Sequence, residues 1–154
     1  MLKKIDQYPS DKRIAGIHSI PITDDGSIIM VWDKNEQGLT TIGGRLEKDE
    51  DIDRALDRET IEEAGIILKP KRIPLAAWYW ENTNTCTVFV IAKVDKYVEI
   101  PDGFETSGRV IVNFETARQM IAKLEGDNSP RIEIINLAEQ AYINCSKLVE
   151  KSKE

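Results

Sequence analysis

Glu59, Glu62 and Glu63 carry the first chemical signal in the sequence. On a helix, residues three and four apart are neighbours, so the three carboxylates share a surface, and each like-charge pair costs roughly 0.2–0.5 kcal/mol even in water. In a partly desolvated cleft the cost rises, because an unpaired charge is expensive to bury. A bound divalent cation offsets both penalties. Hard cations such as Mg²⁺ or Mn²⁺ take oxygen ligands, and Mg²⁺ commonly combines a few carboxylates with substrate phosphates instead of a full protein cage. Clustered glutamates therefore point to metal-assisted hydrolysis of a phosphate ester or anhydride, in which the cation neutralises charge and activates water.

The element that must hold them is a helix expected over residues 49–64, with Asp49 or Asp51 as its cap, acids crowding its first turns and Gly65 just past its end. With Glu50 as origin and about 100° per residue, Ile52, Ala55 and Leu56 fall at about 200°, 140° and 240° and define a core stripe. Glu59 and Glu63 fall within it, at about 180° and 220°, and Glu62 at its edge, about 120°. A solvated acidic face would lie half a turn from Leu56. Asp53, Asp57 and Lys48 fit that bland description; the three glutamates do not.

Charge is concentrated in the same place. The net charge is −6, and residues 47–63 hold nine acids against three bases, so the remainder of the chain is balanced. No broad basic face for an extended nucleic acid is evident. Apolar residues at 41% are too many for intrinsic disorder. The longest apolar runs, such as residues 88–92, are too short to cross a bilayer. Residues 1–6 lack the apolar stretch of a secretory signal, and Cys86 and Cys145 show no metal or redox spacing, so a reducing, cytoplasmic setting is expected.

Around the helix, strands are expected at 14–20 (ending at Pro21), 27–32, 39–42, 66–68 (closed by Pro70), 73–80, 85–94 and 110–112, with a short one at 98–100. Residues 81–84 read as a hairpin loop and 95–106 as a longer loop. Two further helices are expected, at 114–124 and from Pro130, capped by Ser129, to about residue 151. In the last, Ile132, Ile135, Ala138, Tyr142, Cys145 and Leu148 recur at three- and four-residue steps. The order predicts one α/β (α+β) domain over residues 1–154, with a sheet that is not all parallel.

Gly44, Glu50, Arg58, Glu59, Glu62, Glu63 and Gly65 stand in the spacing G-x5-E-x7-R-E-U-x-E-E-x-G-U, which resembles the Nudix box over residues 44–66. All seven fixed positions match, a coincidence with probability on the order of 10⁻⁸ per starting position at background composition. Thr60 replaces the usual apolar residue, and Ile42 the usual proline before the glycine pair. The resemblance implies a curved mixed β-sheet sandwiched between α-helices. It also implies hydrolysis of a nucleoside diphosphate linked to another moiety, with Mg²⁺ or Mn²⁺ as cofactor.

Carried over residue by residue, Glu59, Glu62 and Glu63 look like metal-binding and catalytic carboxylates, with the Gly44 carbonyl as a further ligand. Arg58 looks like the residue that pairs with and orients acids such as Glu50, and Glu47 has a supporting place. Family members use either a box glutamate or a downstream acid as general base; Glu105 is the downstream candidate, with Glu99 and Asp102 as rivals. Trp32, Trp78 and Trp80, together with Arg45, are expected at the substrate, where aromatic faces stack on bases. Alternation puts Tyr79 on the opposite face from Trp78 and Trp80, and these aromatics serve equally well as core. His18 and the cysteines read as structural.

The expected substrate is a small nucleotide such as a (deoxy)nucleoside triphosphate. An ADP-ribose, nucleotide-sugar or dinucleotide pyrophosphatase and a non-catalytic nucleotide-binding module are the alternatives. The apolar stripe of the last helix packs on its own sheet or forms a homodimer surface.

Overall fold

A computed structural model describes residues 1–102 and 106–153. The chain runs β1 (Leu2–Lys4), β2 (Arg13–Ile22), β3 (Ile28–Asp33), β4 (Gly38–Thr40), β5 (Ile42–Arg45), α1 (Ile52–Ala64), β6 (Ile66–Trp80), β7 (Thr85–Tyr97), β8 (Thr106–Val112), α2 (Phe114–Glu125) and α3 (Pro130–Lys153). One mixed sheet runs β1-β6-β7-β2-β3-β4, with β5 paired to β2 and β8 to β3. The β2–β7 pair is parallel and the other pairs described are antiparallel.

Each face of the sheet buries its own helices. On one, Ala55, Leu56 and Ala64 of α1 pack with Ile17, Ile42, Ala77 and Val88. On the other, Phe114, Ala117 and Ile121 of α2 and Ile134, Ile135 and Ala138 of α3 pack with Ile20, Ile22, Ala76 and Ile91. The stripe of α3 is thus largely spent within the chain, with Ile132 and Tyr142 at its margin; the side chain of Leu148 lies outside the described residues.

Several boundaries differ from the sequence expectation, each for a local reason. Asp49 adopts a left-handed φ of 62°, so α1 starts only at Ile52, with the Asp51 carboxylate accepting from Arg54 N–H at 2.8 Å. Pro21 lies inside β2, between the stretch paired with β5 and the contact with β3, where its missing N–H breaks no ladder bond on that edge. Pro70 falls where the β6–β7 register shifts between Leu68 and Arg72, so residues 66–80 form one bulged strand instead of two. The expected strand at 39–42 is two, and the glycine pair belongs to the second, opposite Ile17 and His18. Residues 98–100 form no strand, because the Val98 N–H bonds the Gly65 carbonyl at 2.8 Å. Residues 2–4, read as no element, add a short edge strand against Ala76–Trp78.

Candidate active site

The buried face of α1 rotates as the helix proceeds. Ala55 and Leu56 begin it, Thr60 and Ala64 continue it, and this drift leaves Glu59, Glu62 and Glu63 half-buried on the flank towards β5. Thr60, unusual at its position, is fully buried with its hydroxyl donating to the Leu56 carbonyl at 2.6 Å, so the polar atom is satisfied within the helix.

Arg58 organises the acids. Its Nε and Nη2 donate to the two oxygens of Glu50 at 2.8 and 2.9 Å, a bidentate pair. Nη1 reaches Glu59 Oε1 at 3.0 Å and Glu62 Oε2 at 3.3 Å, and Nη2 also donates to the Arg45 carbonyl at 3.1 Å. Glu47 stands at the rim, 3.8 Å from the guanidinium, and its N–H donates to Glu50 Oε1. The hydrogen bonds from Arg58 hold the Glu50 carboxyl down at about 2, and the guanidinium is itself held protonated by Glu50. Burial pushes Glu59 the other way, above the ordinary carboxylate range, despite Arg58 beside it. Part of the repulsion among the acids is therefore offset from within the chain.

The glycine pair joins this cluster to the sheet. The Gly43 N–H donates to Glu63 Oε2 at 3.0 Å. A Cβ at Gly44 would stand 2.5 Å from Glu59 Oε1, whereas one at Gly43 would stand 2.1 Å from the Ile17 carbonyl and 2.5 Å from His18 Cα. Alanine at the two positions should act differently. Gly43→Ala meets backbone and is expected to cost about 3 kcal/mol or more in urea unfolding. Gly44→Ala displaces only the end of the Glu59 side chain, and is expected to lose less than about 1 kcal/mol while turnover falls at least tenfold.

Beyond Gly44 the sheet opens into a cavity of about 610 Å³ on the face opposite α1. Arg13, Gly16 and His18 of β2, Gly44 and Arg45 of β5, Thr85 and Thr87 of β7, and Asn82 and Thr83 of the hairpin turn line it with Trp80. Trp80 is 46% exposed, with its Nε1 donating to Thr87 Oγ1 at 3.0 Å. His18 is held neutral, its pKa lowered to about 4 chiefly by burial, with Nδ1 3.0 Å from Thr41 Oγ1 and its ring 5.4 Å from that of Phe89.

The structure brings Arg45 and Trp80 to this cavity but not the other two tryptophans. Trp78 packs at 5.7 Å from Trp80 and lines a separate hollow with Leu2, Asn128 and Pro130. Trp32 lies on β3 opposite Leu39. Glu99 and Asp102 are exposed on the segment after β7, and Glu105 lies outside the described residues. Arg13, Asn82, Thr85 and Thr87 belong to no motif in the sequence, yet they line the same cavity. Two-residue alternation places Gly16 with His18 and Thr85 with Thr87, but only the parallel register, with Gly16 opposite Thr87, joins them into one wall.

The donor set is oxygen-only, as a hard cation requires. Among the described residues no three acids or histidines converge as a ready-made cage, since Glu59 and Glu62 turn to Arg58. The bare Gly44 backbone, with a carboxylate where its Cβ would be, fits a cation completed by water and phosphate.

A mixed sheet between helices holds these carboxylates beside a cavity, and the family match makes the chain a hydrolase acting on acid anhydrides. The family model for the NUDIX domain matches residues 12–134, and the chain belongs to the Nudix family, whose members generally use Mg²⁺ or Mn²⁺. No curated protein matches the sequence. Among solved structures, the fold is similar to a Bacillus subtilis pyrophosphohydrolase at 18% identity and TM-score 0.66, covering 92% of this chain and 90% of that one. It is also similar to a MutT structure from work on Aliivibrio salmonicida and Vibrio cholerae at 19% identity and TM-score 0.61, covering 80% and 97%. A C. elegans Ap4A hydrolase aligns at 14% identity and TM-score 0.60, covering 84% and 98%. No helix among the described residues is long and apolar enough to cross a membrane.

Proposed function

We propose that this chain hydrolyses a phosphoanhydride in a small nucleotide, with a (deoxy)nucleoside triphosphate as its substrate class. The observation that carries this reading is the position of Gly44, which touches the α1 carboxylates on one side and lines the cavity on the other. A nucleotide in the cavity presents its phosphates at that seam. Arg13 and Arg45 stand at the cavity and, among the described residues, no acid lines it, which suits a polyanion. The volume is that of a site for one small ligand.

Glu59, Glu62, Glu63 and the Gly44 carbonyl would hold the divalent cation. When bound, the ion neutralises the diphosphate and lowers the pKa of a water. Arg58 keeps Glu50, Glu59 and Glu62 in one orientation, and Gly43 fixes one oxygen of Glu63. A glutamate of α1 accepts the proton of the attacking water, since among the described residues these are the carboxylates at the seam. Trp80 stacks on the base.

The test is phosphate or pyrophosphate release from a panel of nucleoside triphosphates, nucleotide sugars and dinucleotides, with Mg²⁺ and with a chelator. Chelator-sensitive release, fastest from a triphosphate, is expected; no release from any compound would overturn the reading. Trp80→Ala should raise KM about tenfold for the preferred triphosphate with kcat within about twofold, as loss of one base stack predicts. An unchanged KM would remove Trp80 from the substrate site.

A further inference from the structure

We infer that Arg109 is a positioning residue for the metal-binding carboxylates, acting through the end of α1. The inference rests on the reading of those carboxylates given above. The last turn of α1 contains no basic residue, so its C-terminal carbonyls, where partial negative charge gathers, receive no cation from their own helix. Arg109 supplies one from β8. Its Nη1 donates to the Ala64 carbonyl at 2.8 Å and to the Gly65 carbonyl at 3.3 Å.

A second tie closes on the same peptides, because the Val98 N–H donates to the Gly65 carbonyl at 2.8 Å. Between the two, the guanidinium lies 4.8 Å from the centre of the Tyr97 ring at the end of β7. Gly65 permits this approach. It sits at φ 61°, and a Cβ there would come within 2.4 Å of the Val98 carbonyl and 3.0 Å of Arg109 Nη1. The sheet delivers the guanidinium rigidly, with Arg109 opposite Val31 in the β3–β8 ladder. Ala64 directly follows Glu63. Helix ends are where helices fray, and fraying here would swing Glu62 and Glu63 away from the glycine pair. By holding the Ala64 and Gly65 carbonyls, Arg109 fixes where those carboxylates stand.

The experiment uses the full chain and measures Mn²⁺ binding by calorimetry and the Mg²⁺ concentration for half-maximal turnover. Arg109→Ala should weaken Mn²⁺ binding about tenfold and raise the half-saturating Mg²⁺ by a similar factor, in the range found for residues that orient metal ligands. Arg109→Lys, which keeps a charge at the carbonyls, should recover part of both. Ile121→Val, a core change on the opposite face of the sheet, controls for lost stability and should lower Tm without moving either metal constant. Should Arg109→Ala fail to fold, Arg109→Lys and Tyr97→Ala decide, with about threefold weaker Mn²⁺ binding expected of each. Parental metal constants in the folded variants would overturn the inference alone. A parent chain without Mn²⁺ uptake would overturn the underlying reading of the carboxylates and this inference with it.

Discussion

Glu63→Gln is expected to fold normally and to lose turnover by a factor on the order of 10²–10³, the scale of several kcal/mol of charge stabilisation by a metal. Glutamine has nearly the shape of glutamate, and its carbonyl oxygen can still accept the Gly43 N–H that Glu63 Oε2 takes at 3.0 Å. What it removes is one negative charge from the seam between α1 and the cavity. The variant should retain parental near-ultraviolet circular dichroism, and excess Mg²⁺ should restore only part of the rate. Parental turnover of every nucleotide in the panel would end the assignment of Glu63.

Arg58→Gln is expected to cost both stability and activity, because one guanidinium donates five hydrogen bonds: two to Glu50 and one each to Glu59, Glu62 and the Arg45 carbonyl. Allowing for its partial exposure, the loss should be about 1–2 kcal/mol at pH 7, with turnover at least roughly tenfold lower. Arg58→Lys should recover little, since a compact ammonium cannot fork onto Glu50 while reaching the other three acceptors.

The loss should also depend on pH. Arg58 holds Glu50 down at about 2, so the stability this gives is complete above the ordinary glutamate value of 4.5 and disappears as pH falls towards 2. Burial of Glu59 has the opposite sign: its ionisation opposes folding at neutral pH and is relieved on acidification. The stability gap between parent and Arg58→Gln in urea should therefore be wide at pH 6 and narrow by pH 2.5. A gap that stays constant across that range would contradict the role given to the Arg58–Glu50 pair.

The helix α1 and the juxtaposition of its acids were legible because both are local. Glu59, Glu62 and Glu63 meet through helical spacing, Asp51 and Gly65 mark the ends by cap chemistry, and neither needs a distant partner to be recognised. The helices 114–124 and 130–151 were legible for the same reason, being close to Phe114–Glu125 and Pro130–Lys153. Prolines mark false strand ends for two reasons: Pro70 falls at a register shift between Leu68 and Arg72, and Pro21 lies between the stretch of β2 paired with β5 and its contact with β3, so both sit inside strands that local reading ends there. A turn of about 100° per residue puts Glu59 and Glu63 in the core stripe, whereas they lie half-buried beside it, because Thr60 and Ala64 carry the buried face round the helix.

By itself the sequence determined the family, the clustering of carboxylates and the helix that carries them, since these depend on residue types a few positions apart. Which aromatic meets the cavity was decided by tertiary structure. Trp78 and Trp80 share a strand face, yet only Trp80 stands beside Gly44 and Arg45, because α3 begins over Trp78. Tertiary structure also gave Gly43 and Gly44 opposite neighbours and brought Arg109 to the end of α1 from 44 residues away. Such contacts come from strand register and from the layering of helices on a sheet. Both are properties of the whole packed chain, and no local spacing encodes them.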